Sequence, residues 1–359
     1  MKNIVVIGGG IAGMEASAFL AAKGYSVDLI EKNDTLGGRL ANWDRLFPTM
    51  RRGSEVTEFL AEGVMQEAVK VHLSADIVRV ERHHDTFLLV TTQGNELHCD
   101  AILLATGYDL FDARRKEEYG YGIYDNVITS ADLEQIFSSG RDILTQKGKK
   151  PSRVGFVHCV GSRDEKAGHT YCSKVCCVTG VKQAIEVKQQ IPDAEIFNFY
   201  MDLRMYGMHF EALYKKAQED FNVQFVRGRL SEAAENLDGS LALKVEDTLA
   251  GRPMKINVDL LVLLVGCTPS EGTRKMASLL GLKLGFNGFF KTTDQHTMTN
   301  YSDIPGVFFA GTCIGPNTIT NAITDARAAA TAIDIYLSGN QLANRKMKPH
   351  EEFWLYPSH

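Results

Sequence analysis

The amino-acid sequence predicts an α/β protein built of two doubly wound dinucleotide-binding folds, the second inserted into the first. Three observations predict it. The amino end reads strand, glycine-rich turn, helix, strand. The middle repeats a strand–helix rhythm through "SRVGFVHCVG", the helical run after Cys172, "AEIFNFYM" and "FEALYKKAQED". Near the carboxy end, "DIPGVFFAGTCIGPNTITNAITDARAAATAIDIYL" supplies a strand, a loop and a long helix that return to the first unit. Such alternation is the pattern of parallel sheets covered by helices. At 359 residues, 44% of them hydrophobic, the chain is long enough to bury two cores.

The first element is "KNIVVIGGGIAGMEASAFLAAKGYSVDLIEKN". Ile4 to Ile7 form a short apolar run suited to a buried parallel strand. Gly8, Gly10 and Gly13 follow in G-x-G-x-x-G register. Gly8 permits the tight turn, Gly10 admits a pyrophosphate to the backbone, and Gly13 lets the helix pack close to the strand. Ile11 and Ala12 open that helix, whose free N–H groups would face the phosphates. The next strand, "SVDLIE", ends in Glu31, and Lys32 follows it at the same candidate site. A carboxylate at Glu31, 18 residues after Gly13, would accept hydrogen bonds from ribose hydroxyls and repel a 2′-phosphate.

Three later stretches resemble the FAD-binding elements of disulfide-reductase-like and thioredoxin-reductase-like flavoproteins. "KNDTLGGRL" places Gly38, Arg39 and Leu40 where that superfamily has its second pyrophosphate-side element. "DAILLATGYD" ends a strand at Ala105, Thr106 and Gly107. The late segment carries Gly311 and Thr312, then a helix expected to start near Thr320, Asn321 and Ala322. That helix would aim its amino-terminal dipole at the flavin. The superfamily usually has Gly-Asp where this chain has Gly311-Thr312. The resemblance implies one FAD, held by residues 1–112 and 285–340. Between Val69 and Asp100, alternating segments with a turn at Gln93-Gly94 read as a small antiparallel crossover sheet. Residues 113–284 form the second, Rossmann-like unit, and residues 341–359 a tail expected to pack on a partner or neighbouring protomer.

The second unit lacks a glycine fingerprint of its own. After its first strand come cysteines instead, spaced C-x12-C-x3-C-C at Cys159, Cys172, Cys176 and Cys177. Buried packing cysteines, a zinc site and an iron–sulfur cluster are the three readings. Zinc favours C-x2–4-C pairs, and adjacent Cys176 and Cys177 converge awkwardly on one ion. A [4Fe–4S] cube offers each thiolate its own iron. With a helix over the last three, Cys172 and Cys176 would lie one turn apart. Arg163, Lys174 and His169 lie near enough in sequence to tune such a cluster. Cys99, Cys267 and Cys313 stand alone and are read as structural.

A net charge of -5, without long like-charge runs, points to neither nucleic acid nor an anionic membrane as partner. No run of about 18 apolar residues predicts a transmembrane segment. No signal-peptide pattern is read, so the expected location is cytoplasmic.

"HCVGSRDEKAGHTYCSKVCC", taken with the four flavin elements, resembles the A-type subunit of heterodisulfide reductase, as do "YMDLRMYG", "YKKAQE" and "FVRGRLSE". Methanogen-type A subunits and the related subunit of quinone-interacting oxidoreductase complexes carry further cysteines after L-G-G-R. "LANWDRLFPTMRRGSEV" has none. The resemblance is therefore strongest to the short A-type subunit of the heterodisulfide reductase-like (sHdr) complex of sulfur oxidisers. It implies one FAD, one [4Fe–4S] cluster, a homodimer, B- and C-type partner subunits and a link to a lipoate-binding protein. It also implies that Lys182, five residues past Cys177, reaches flavin N5 and raises the flavin potential; the plain alternative is a solvated lysine, with Lys188 as control. Rival readings are a stand-alone NAD(P)H-dependent flavoprotein reductase with a structural metal, and a scaffold whose FAD is only structural.

Overall fold

The computed structural model describes residues 1–340. The tail expected to pack on a partner lies outside the described residues. In chain order the strands and helices are β1 (Asn3–Ile7), α1 (Ile11–Ala22), β2 (Ser26–Ile30), β3 (Arg45–Leu46), β4 (Arg51–Arg52), α2 (Gly53–Val64), β5 (Val69–His72), β6 (Ile77–His83), β7 (Thr86–Thr91), β8 (Glu96–Cys99), β9 (Ala101–Leu104), β10 (Tyr108–Leu110), β11 (Val127–Thr129) and α3 (Ser130–Ser138). The inserted unit continues with β12 (Arg153–Val160), α4 (Cys176–Gln190), β13 (Glu195–Tyr200), α5 (Phe210–Glu219), β14 (Gln224–Arg227), β15 (Leu230–Glu235), β16 (Leu241–Asp247), β17 (Arg252–Val258), β18 (Leu260–Val265) and β19 (Cys267–Pro269). Then come α6 (Glu271–Leu280), β20 (Val307–Phe309) and α7 (Ile319–Leu337).

Two parallel five-stranded sheets organise the molecule, in the orders β20-β9-β1-β2-β5 and β11-β18-β12-β13-β14. Their central strands are apolar because both faces are covered. Ile4, Val5 and Val6 are wholly buried, as are Leu261, Val262 and Leu263. α1 and α7 cover one face of the first sheet, and α4 packs on the second.

Three details depart from the sequence reading. Val69–His72 joins the first parallel sheet beside β2, so the crossover sheet is only β6-β7-β8. β15, β16 and β17 form an antiparallel sheet in the inserted unit that the strand–helix rhythm does not announce. The boundary near residue 284 also moves. Met276 and Ala277 of α6, with Leu282, share one hydrophobic cluster with Ile7, Ile30, Leu104 and Phe309, so α6 packs with the first unit. The two units are joined where β10 and β19 pair antiparallel, Tyr108 opposite Pro269 and Leu110 opposite Cys267. Among the described residues no helix is long and apolar enough to cross a membrane.

Candidate flavin cavity and cysteine group

A cavity of about 590 Å³ opens at the carboxy ends of β1, β2 and β9. This is the crevice where open α/β sheets bind ligands, and its size is that of a cofactor site. Gly8, Gly10, Ile11, Ala12, Glu31, Lys32, Gly38, Arg39, Leu40, Ala105, Thr106, Gly107, Thr312 and Ala322 all line it. Four sequence elements far apart in the chain thus meet on one surface.

The glycines divide by what a side chain would meet. A Cβ on Gly8 would lie 2.3 Å from the Ala105 carbonyl oxygen, and one on Gly13 1.8 Å from that of Gly8. Those two serve the fold, and Gly13 is not among the lining residues. A Cβ on Gly10 would meet only Gly38 Cα, at 3.9 Å. Protein packing leaves Gly10 free to be larger; what a side chain there would fill is the cavity. That is the mark of a backbone kept bare for a ligand, and it fits a dinucleotide pyrophosphate.

Glu31 is bonded within the protein. Its Oε2 accepts the Gly9 N–H at 2.7 Å, and Oε1 accepts the Asn33 N–H at 2.9 Å and Asn33 Nδ2 at 2.7 Å. It braces the glycine turn. Arg39 is tied across the cavity rim by a 2.7 Å ion pair with Asp109 and a 3.2 Å bond from Nε to the Tyr108 carbonyl.

At the late element the start of the helix moves. α7 begins at Ile319, and Thr318 caps it by accepting the Asn321 N–H at 3.3 Å. Asn317, Thr318, Ile319 and Ala322 line the cavity; Thr320 and Asn321 are exposed and do not. Serine and threonine outside the helix favour the cap, which is why Thr318 takes it. Gly311 sits at φ +74, with its N–H donated to Asp325 Oδ2 at 2.6 Å. It too lies outside the lining, and the carboxylate at this turn comes from α7 rather than from position 312.

The inserted unit contributes the inner wall. Val175, Thr179 and Lys182 of the α4 segment line the cavity together with Trp43 and Phe47. Lys182 is no solvated lysine: its side chain is 1% exposed, pairs with Glu134 and with Glu186 at 2.8 Å, and donates to the Arg45 carbonyl at 3.0 Å. Trp43, Glu134 and Glu186 escape sequence reasoning; Glu186, at i+4 from Lys182, is the one a helix wheel signals. Lys188 donates to the Pro192 and Ala194 carbonyls at 2.6 and 2.9 Å, so it ties down the turn between α4 and β13 and is no neutral control.

Three of the four clustered cysteines come together. Cys159, at an irregularity late in β12 and at φ +61, interacts with Cys176, and Cys176 with Cys177 at the first turn of α4. A hydrogen bond from Cys176 lowers the Cys159 thiol, and the same partner, then His158, lowers that of Cys177; Cys176 itself is pushed up. The expected four-membered set is not assembled. Helix begins only at Cys176, so Cys172 lies in the preceding loop, half-buried, its Sγ accepting the Lys174 N–H at 3.3 Å. Among the described residues no three His, Cys, Asp or Glu side chains are disposed to hold one metal ion. Arg163 pairs with Asp202, Lys174 is exposed, and His169 Nδ1 lies 3.1 Å from the Gly161 carbonyl. Cys99, Cys267 and Cys313 are buried, and burial pushes each thiol up to about 12.

The turn after β12, where a second phosphate cradle would lie, is filled. A Cβ on Gly161 would fall 2.1 Å from the Phe111 ring, over which Arg115 stacks at 5.0 Å.

Fold and cavity define a two-unit dinucleotide-binding oxidoreductase. Residues 2–129 and 177–326 match the Pyridine nucleotide-disulphide oxidoreductase family, and the chain belongs to that family. The unmatched stretch between them holds β12, Cys159, Cys172 and Cys176. The chain is 32% identical to the iron-sulfur A subunit of the CoB--CoM heterodisulfide reductase of Methanocaldococcus jannaschii, over 95% of this chain and 65% of that protein. It is 28% identical to the A subunit of the Ferredoxin/F(420)H(2)-dependent CoB-CoM heterodisulfide reductase of Methanosarcina acetivorans, over 97% and 55%. It thus spans 65% or less of the length of these relatives. Thioredoxin reductase of Lactococcus lactis shares the fold, with a TM-score of 0.66 at 19% identity over 94% of this chain and 100% of that one.

Proposed function

We propose that the chain is a flavin-bearing electron-relay subunit of a heterodisulfide reductase-like complex, with FAD in the cavity and a [4Fe–4S] cluster on Cys159, Cys172, Cys176 and Cys177. The observation that carries this is the double duty of α4. Its first turn presents Cys176 and Cys177, and its next turns present Thr179 and Lys182 to the cavity. FAD supplies two-electron or one-electron exchange, and an iron–sulfur cluster supplies one-electron transfer. The chain's own residues hold these functions side by side. Gly10 leaves room for the pyrophosphate, Glu31 offers a carboxylate to the ribose, and Lys182 places a buried cation at the inner wall. Cys159, Cys176 and Cys177 are neighbours, and with Cys172 of the preceding loop they would be the thiolates that hold the cluster. The partners in this reading are B- and C-type subunits, a second copy of the chain and a lipoate-binding protein, in cytoplasmic sulfur oxidation.

Anaerobic purification with quantitation of flavin, iron and sulfide tests this. About one FAD and four irons per chain are expected. Cys176→Ala and Cys177→Ala are each expected to lose iron and sulfide and keep FAD, because the flavin-lining glycines lie on other elements. Zinc without sulfide would refute the cluster.

The filled turn at Gly161 separates this reading from a stand-alone NADPH reductase. Dithionite is expected to bleach the flavin and NADPH is not. Stopped-flow absorbance decides, and rapid bleaching by NADPH would contradict the relay reading.

A further inference from the structure

Behind the inner wall of the cavity, three charged side chains share a site with almost no water. Lys182 and Glu134 are each 1% exposed and Glu186 is 5% exposed. The hydrogen-bond donors are divided unequally between the two acids. Glu134 accepts from Lys182, from Gln183 Nε2 at 2.7 Å and from the Asp44 N–H at 3.1 Å. Glu186 Oε2 lies 2.8 Å from Lys182 Nζ but out of line, and has no hydrogen-bond partner among the described residues. Glu134 thus has three donors and Glu186 Oε2 none. One lysine faces two acids, so with both ionised the buried group carries net −1, and with Glu186 protonated it is neutral.

The charged groups facing Glu186 are few. Lys182 comes from its own helix, Glu134 from α3, and Asp44 from the segment leading into β3. Asp44 is itself 3.7 Å from Arg45 and 4.0 Å from Arg52. Burial above all, opposed by Lys182 and reinforced by Glu134 and Asp44, pushes the Glu186 carboxyl up to about 7. The geometry and this balance agree that Glu186 is poised to change charge near neutral pH.

Lys182 is the wall between this group and the cavity. Negative charge arriving in the cavity competes for Lys182 and makes an ionised Glu186 costlier, since charges interact strongly where water is excluded. Resting on the flavin reading above, we propose that Glu186 is a redox-linked proton site, taking a proton from solvent when the bound flavin is reduced and releasing it on reoxidation. The electrons come from a one-electron reductant of the iron–sulfur class, or from dithionite in the test. The proton comes from water, an O–H bond forms on the Glu186 carboxylate, and no bond of the protein breaks. Glu186 acts through Lys182 as a charge-compensating residue and touches no reacting atom.

The experiment uses the full chain purified anaerobically with its flavin, reduced with dithionite from about pH 6 to about pH 9. The flavin midpoint potential is expected to fall more steeply with pH above about 7, where reduction draws in one extra proton. Glu186→Gln is expected to lose the steep segment, and Glu219→Gln, an exposed acid on α5, to keep it. Reduced-minus-oxidised infrared spectra at about pH 8 are expected to gain a protonated-carboxyl band that Glu186→Gln lacks. If Glu186→Gln fails to fold, Glu186→Asp is expected to shift the bend along the pH axis; an unmoved bend overturns the proposal. Flavin present, slopes identical and no carboxyl band would overturn the role of Glu186 and leave the flavin reading standing. A preparation that binds no flavin would overturn both.

Discussion

Lys182→Met is expected to destabilise the protein by about 3–5 kcal/mol at neutral pH, the usual cost of removing one partner from a buried ion pair. Methionine keeps the volume and the stem that packs near Trp43 and Phe137. What it removes is the cation between Glu134 and Glu186. The loss is expected to grow with pH. The folded-state pKa of Glu186, about 7, lies above its ordinary 4.5, so the native state binds that proton more tightly than the unfolded chain. Its contribution to stability is therefore greatest below about pH 4.5 and falls as pH rises through 7. Lys182 pulls this carboxyl down, so its removal carries the fall to higher pH. Urea midpoints of the parent and variant at several pH values measure the difference. Equal midpoints at alkaline pH would contradict it.

Gly10→Val and Gly13→Val are expected to fail in opposite ways. Gly10 is at φ -79, which valine adopts, and its Cβ direction is open. The variant is expected to fold with an unchanged thermal midpoint and to carry no flavin, because its methyl groups lie in the pyrophosphate path. Gly13 has a backbone oxygen where its Cβ would stand. Overpacking of that kind costs about 1–3 kcal/mol where neighbours can yield, and a main-chain oxygen of the glycine turn cannot. Gly13→Val is expected to yield little folded protein. Circular dichroism and flavin absorbance on both variants separate the two outcomes. A yellow, fully loaded Gly10→Val would show that the turn does not hold the cofactor.

What is legible in the sequence is what local pattern controls. The glycine register, the apolar strands and the Ala105-Thr106-Gly107 strand end are short-range signals, and they meet at the cavity. The sequence puts the start of α7 near Thr320 rather than at the Thr318 cap because several polar residues in "PNTITN" compete for that place. The allegiance of α6 is invisible, since nothing in "EGTRKMASLL" says which core its apolar face will join. The cysteine spacing points to a group, and three of its members are neighbours. It misplaces Cys172, because helix starts four residues later than a one-turn spacing needs. Lys182 stands out in the sequence, but its partners do not. Glu134 lies 48 residues away on another helix, and only the tertiary fold brings it within reach.

The short ladder of β10 with β19 has a consequence for how such a chain can change over generations. The strand that leaves the flavin-type unit and the strand that returns to it are hydrogen-bonded to each other across three residue pairs. Everything between them, from Phe111 to Gly266, leaves the host and re-enters it at one place. A module joined in that way can be exchanged, enlarged or trimmed without disturbing the strand order of its host. A nucleotide-binding turn can therefore give way to a cysteine-bearing loop while the glycine cradle stays as it was. The one constraint that survives the exchange is α4, because the replacement module must still bring a wall to a cavity it does not own.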